Sequence, residues 1–166
     1  MAGATELILL QLALASTAIG GVFLSFSDFV MRGLALASPA AGAEAMQQIN
    51  RTVYRSLFLT TFLLLAPLSL GCAVYAALFL DGTPRAASIA ATVIYLSGVF
   101  LVTVRGNVPM NQRLDVLEAD SDAGRSYWSQ YCLHWTRLNH VRTLGCFTTG
   151  ALYAVAAVAQ SFGAGT

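Results

Sequence analysis

The chain has 166 residues and a mass of 17.5 kDa, room for one compact domain. Hydrophobic residues make up 57% and charged residues 10%, against roughly 45–50% and about 25% in an ordinary soluble domain, so a water-soluble surface cannot be built from this composition. Nine basic residues (all arginine) and eight acidic ones leave a net charge of +1, which excludes the electrostatic footprint of a nucleic-acid binder.

The charges are spaced as membrane spans require. Between Glu6 and Asp28 lie 21 uncharged residues, between Arg55 and Asp81 lie 25, between Arg85 and Arg105 lie 19, and the last 24 residues after Arg142 carry no side-chain charge. A helix needs about 20 mainly apolar residues to cross the hydrocarbon core. The pattern predicts an all-α chain, a four-helix transmembrane bundle of up-and-down topology in one domain, with amphipathic extensions at the cytoplasmic end. The expected spans are about 6–32, 53–80, 85–105 and 138–162.

The first span carries Gly20-Gly21 and Ser25, and Gly21-x-x-x-Ser25 is the expected small-residue stripe for close helix approach. The residues before it lack the basic segment of a cleavable signal peptide, so a retained span is expected. Ser38-Pro39 reads as an N-cap followed by proline at N1. From Pro39 to Leu80 only Pro67 interrupts the helical pattern, so an interfacial turn or two is expected to run directly into the second span.

Asp81-Gly82-Thr83-Pro84 is the next turn, with Thr83 as the expected cap. The third span leads into Arg105-Gly-Asn-Val-Pro-Met-Asn111, where Pro109 deprives the carbonyl of Arg105 of its partner and predicts a break. Ser121-x-x-Gly124 is expected to open a further loop, with the fourth helix starting near Tyr127.

Four spans put both termini on one side. That side holds only Arg85, so the positive-inside rule predicts an integral inner-membrane protein with both termini outside. The partner implied is the lipid bilayer, and a homo-oligomer is compatible with the pattern. Cys72 and Cys146 fall in apolar stretches as small hydrophobes, and the three cysteines offer neither a disulfide framework nor a zinc site.

Polar residues that a membrane helix can avoid are the functional candidates. They gather at one end of every span: Ser25 and Asp28; Gln47, Asn50, Arg51 and Tyr54 on one helical face; and Asn107 and Asn111 around Pro109. Asp28 is expected to pair with Arg142, Arg51 or Arg105. On the last helix Tyr131, Trp135, Asn139, Arg142, Cys146 and Tyr153 fall within a sector of roughly 80°. Such a sector lines a pocket or, with Trp128, forms an interfacial aromatic belt. His134 and His140 are six apart and cannot chelate one metal together, so no metal site is expected. A haem held between protomers stays open, as does a single histidine acting as general base.

Phe26-Ser-Asp-Phe-Val-Met-Arg32, Met46-Gln-Gln-Ile-Asn-Arg51, Gly106-Asn-Val-Pro-Met-Asn111 and Trp135-Thr-Arg-Leu-Asn-His-Val-Arg-Thr143 resemble the anthrone oxygenase-like family of small bacterial and fungal membrane proteins. The resemblance runs through all four spans. It implies oxidation of an activated methylene of a polycyclic phenolic substrate by dioxygen, the chemistry of polyketide pathways, with dioxygen as co-substrate and no organic cofactor.

Carried onto this chain, the motif residues are Asn107, Pro109, Asn111, Trp135, Asn139, His140, Arg142 and Thr143. His140 is then the expected base, and Arg142, Asn107 and Asn111 the expected oxyanion donors. Trp135, Asn139, Tyr54, Asn50 and Asp28 are expected to bind a hydrophobic aromatic ligand. A non-enzymatic structural or small-molecule-binding membrane subunit is the competing reading, and a haem-binding redox subunit a third.

Overall fold

The computed structural model describes residues 2–163, and they form helices with no strand among them. Four helices are long and apolar enough to cross a membrane. They are α1 (Gly3–Leu36), α3 (Leu57–Phe79), α4 (Gly82–Asp115) and α5 (Asp122–Phe162), and a shorter helix, α2 (Pro39–Thr52), lies between the first two.

Interhelical contacts fix the topology. Thr5 meets Tyr75 while Phe23 meets Phe58, so α1 and α3 run antiparallel. Thr92 donates to the carbonyl of Ser69 at 2.8 Å and the Tyr95 hydroxyl to that of Phe62 at 2.6 Å, which sets α3 against α4 in the same way. Thr92 also meets the Tyr153 hydroxyl at 3.0 Å while Asn107 donates to the Trp135 carbonyl, closing α4 against α5. The bundle is an up-and-down four-helix ring. Leu9, Leu12, Phe23, Phe62, Leu65, Val99, Cys146 and Tyr153 fill its core.

Lipid tails are as apolar as these side chains, so association depends on close packing and interhelical hydrogen bonds, each worth roughly 0.6–2 kcal/mol. Close packing falls on Gly20 of the expected small-residue stripe, and not on Gly21. Gly21 has open space around it, whereas a Cβ on Gly20 would stand 3.0 Å from Cys146 Cβ. One helical turn further, a Cβ on Gly150 would overlap Thr17 Oγ1 and stand 3.1 Å from the Ala13 carbonyl. Gly20 and Gly150 are therefore the points where α1 and α5 approach. Cys146 is buried between them as a small hydrophobe.

Several helix boundaries differ from expectation. The run from Pro39 to Leu80 is not continuous. Ser56 turns extended (φ −99°, ψ 149°) after a 3-10 turn at Val53–Arg55, and its hydroxyl caps α3 by accepting from Leu59 N at 3.1 Å. Pro67 sits inside α3. Ser38 does cap α2, with Pro39 following.

Thr83 is not a cap, because α4 already starts at Gly82 (φ 59°) after Asp81. Ser121 caps α5 by accepting from Gly124 N at 3.0 Å, so the last helix begins five residues before Tyr127 and runs from Asp122 to Phe162 without interruption.

Pro109 does not break α4 either. The helix widens into π turns at Tyr95–Leu101 and Thr103–Asn107, and Val108 N–H reaches back to the carbonyl of Thr103. Wider winding absorbs the donor that proline lacks, a device common at functional sites. A third π turn, Phe26–Val30, lies in α1 at the same end of the bundle.

Candidate functional site

The π turns, the Ser56 hinge and the start of the apolar part of α5 converge at one end of the bundle. They enclose a cavity of about 420 Å³, within the roughly 300–1,000 Å³ usual for small-molecule sites. Its apolar walls come from Phe23 and Phe26 of α1, Met46 and Ile49 of α2, Phe58 and Phe62 of α3, and Trp135 of α5. Its polar groups are Asn50, Thr52, Tyr54, Ser56, Thr103, Asn111 and Arg142.

Arg142 dominates the electrostatics. It is 4% exposed, yet no carboxylate lies within salt-bridge distance of it among the described residues. Its Nη2 donates to Asn139 Oδ1 at 2.6 Å and its Nη1 reaches Thr103 Oγ1 at 3.5 Å. The guanidinium carbon stands 4.2 Å from the Phe23 ring centroid and 5.0 Å from that of Trp135. The Nε proton has no protein acceptor. A buried cation held only by neutral groups and ring faces attracts an anion strongly, because the surrounding medium screens it little.

Its neighbours are fixed in place. Asn139 donates to the Phe23 carbonyl and to Ser27 Oγ, both at 2.6 Å, so α1 and α5 are tied at the level of the arginine. Asn111 Oδ1 accepts from Tyr131 Oη and Trp135 Nε1, both at 2.8 Å. The amide oxygen is thereby used, which leaves Nδ2 as the group that Asn111 can offer to a ligand. The buried Asn50 Nδ2 lies near the Tyr131 hydroxyl without completing a hydrogen bond. The hydroxyls of Thr52, Ser56 and Thr103 all donate to helix carbonyls. Unspent hydrogen-bonding capacity at the cavity therefore consists mainly of donors.

The expected site residues divide. Arg142, Asn111, Trp135, Tyr54 and Asn50 all line the cavity. Asn139 stands behind it as the partner of Arg142. Asn107 is 1% exposed and turns its amide to the Trp135 carbonyl, so it braces α4 against α5 without lining the cavity.

His140 does not join the site. It is exposed and borders a separate groove with Arg32 and Arg137, because 160° of helical rotation separates it from Arg142. Asp28 is exposed on the π turn of α1 and pairs with none of the three arginines expected. Arg51 instead bonds Asp115 at 2.7 Å.

Gln47, Asn50, Arg51 and Tyr54 do not act as one face. Gln47 donates to the carbonyls of Leu114 and Leu117 at the end of α4 and the connection after it, while Tyr54, on the 3-10 turn, lines the cavity as a mostly exposed side chain. The aromatic run of α5 is not an interfacial belt. Trp128, Tyr131 and Trp135 stack successively at 5.6 and 6.0 Å, and all are buried against α2 and α4. His134 is exposed and its Nδ1 meets the carbonyl of Gln130.

Sequence reasoning missed Phe23, Phe58, Phe62 and Thr103. Three phenylalanines in apolar spans carry no signal of their own. Thr103 had one available clue, its spacing of four from Asn107.

A sequence-family model described as anthrone oxygenase matches residues 51–153, more than half of the chain. The match takes in Asn111, Trp135 and Arg142 and leaves out the α1 wall of the cavity. No curated protein and no solved structure matches.

Proposed function

The chain belongs to the anthrone oxygenase family, and from that premise we propose that it oxidises the activated methylene of a polycyclic phenolic substrate with dioxygen. The observation that carries this reading is Arg142, a buried guanidinium without a carboxylate partner on the wall of an aromatic cavity.

An anthrone methylene is acidic because its conjugate base is an aromatic phenolate. In the proposed reaction the substrate plane lies among Phe23, Phe58 and Trp135, with its oxygen toward Arg142 and Asn111. Both donors stabilise the developing oxyanion, and the low dielectric strengthens them. The cavity lining contains neither histidine nor carboxylate. The first methylene proton accordingly leaves to water, drawn off by anion stabilisation and not by a protein base.

The carbanion reduces dioxygen by one electron, and the resulting radical pair combines into a carbon–peroxide bond. The peroxide takes up a proton from water, in place of the one released at the start. Loss of the second methylene proton with cleavage of the O–O bond of the hydroperoxide then yields the carbonyl and hydroxide, which that last proton converts to water. The balance is CH2 plus O2 giving C=O plus H2O. No electrons are required from elsewhere, and the bilayer concentrates both the apolar substrate and dioxygen.

Dioxygen uptake and quinone absorbance, followed with purified protein and an anthrone, test the reading. Uptake well above the spontaneous rate is expected. Uptake equal to that background in a folded, monodisperse preparation refutes it.

A further inference from the structure

The polar and ring partners of the Arg142 guanidinium among the described residues are all neutral: Asn139 Oδ1, Thr103 Oγ1 and the rings of Phe23 and Trp135. We propose that Asn139 and Thr103 make the cavity charge-selective. They hold the guanidinium in place without neutralising it, so the cavity takes a polycyclic ligand as its anion in preference to an uncharged molecule of the same shape. This rests on the reading of the cavity as a site for a phenolic polycycle. It adds which ionisation state is held, with Asn139 as a positioning residue.

The two ends of the Asn139 amide are used differently. Asn139 is fully buried and stands three residues before Arg142 on α5, a spacing that makes side chains neighbours. Its Nδ2 donates to the Phe23 carbonyl and to Ser27 Oγ of α1, both at 2.6 Å. Its Oδ1 is thereby turned to the guanidinium, a group that only donates. Thr103 acts in the same way from α4. Its hydroxyl donates to the Val99 carbonyl at 2.8 Å, which leaves an oxygen lone pair for Arg142 Nη1. An aspartate at position 139 would also accept from Arg142, but it would set an oxygen against the Phe23 carbonyl and cancel the charge.

That charge decides what the cavity holds. At low dielectric an uncompensated cation acts strongly on a ligand beside it, whereas a cation already paired with a carboxylate offers an anion little. No carboxylate lines the cavity. Binding and ionisation are linked, so an anion held about ten-fold more tightly than its neutral parent makes the bound parent about ten-fold more acidic. A cavity with no histidine or carboxylate in its lining favours release of a proton by this route.

Binding of anthracene carboxylate and anthracene carboxamide, substituted at the same ring carbon, tests the proposal on the full chain in detergent. Anthracene fluorescence reads the binding, with no turnover and no dioxygen. The probes share a tricyclic body and differ in charge. Their affinity ratio is compared between variants in the same micelles, so partition into detergent cancels. Wild type is expected to favour the carboxylate about 10-fold more than N139D or T103D does. T103N, which matches T103D in size but not in charge, should exceed T103D about 5-fold in the same ratio. A merely structural role of Asn139 would weaken both probes alike and leave the ratio unchanged.

A monodisperse N139D or T103D that keeps the wild-type ratio overturns the proposal, and so does a wild type whose ratio equals that of R142M. T103D brings its carboxylate from α4 and leaves the tie between α1 and α5 intact, so it carries the test if N139D does not fold. The oxidation reading fails separately, on dioxygen uptake: uptake at the spontaneous rate alters none of these ratios.

Discussion

Arg142→Met separates catalytic electrostatics from structural support. The substitution removes a charged hydrogen bond to Asn139, worth about 1.5–3 kcal/mol, and contacts with the rings of Phe23 and Trp135 at ~0.5–2 kcal/mol each. Against this, it removes the desolvation penalty of a buried guanidinium that has no carboxylate, several kcal/mol in the opposite direction. The terms cancel to within a few kcal/mol, so the thermal midpoint in detergent should stay close to that of wild type. Turnover should not, because loss of one oxyanion donor costs about 10²–10³ in rate. The assay is dioxygen uptake per folded molecule beside a melting curve on the same sample. A variant that melts far below wild type yet keeps wild-type uptake per folded molecule refutes the reasoning, since Arg142 would then be a structural tie and not the anion's partner.

Asn111→Leu should leave the Tyr131 hydroxyl and the Trp135 indole N–H without their acceptor, at about 1–3 kcal/mol for each buried donor. A lowered melting midpoint together with a shifted tryptophan emission spectrum is expected, and unchanged values for both would contradict the assigned bonds. Gly150→Ala should force α1 and α5 apart at Thr17, costing about 1–3 kcal/mol by overpacking; a melt in detergent reads this, and a neutral outcome would mean that α1 yields there. For topology, single cysteines placed in the 81–85 turn and the 115–121 connection of a cysteine-free variant should label from the outside and from the cytoplasm respectively, as the arginine distribution implies. Labelling of 115–121 from outside would reverse the orientation.

The helix count was already decided by one-dimensional information. Spacing between charges sets where a span can lie, because each charge in hydrocarbon is expensive and each span needs a minimum length. Four charge-poor stretches therefore became α1, α3, α4 and α5, and the clustering of Asn50, Asn111, Trp135 and Arg142 at one end was visible for the same reason. The exact line of approach between helices was not. Gly20 and Gly21 look identical in sequence, and only the rotation of α1 against α5 puts Gly20 on Cys146 and Gly21 in open space.

Winding was equally hidden. Pro109 announces a missing hydrogen bond, but whether the chain breaks or widens depends on what packs beside it, and here α4 widens into π turns against α5. Rotation about α5 decided the fate of two motif residues: Arg142 turns into the aromatic cavity and His140 turns out to the groove beside Arg32. Two positions along one helix suffice to send neighbouring side chains to opposite faces. Composition says that both are costly in a membrane. Only the packed bundle says which of them shares a cavity with Asn111 and Trp135.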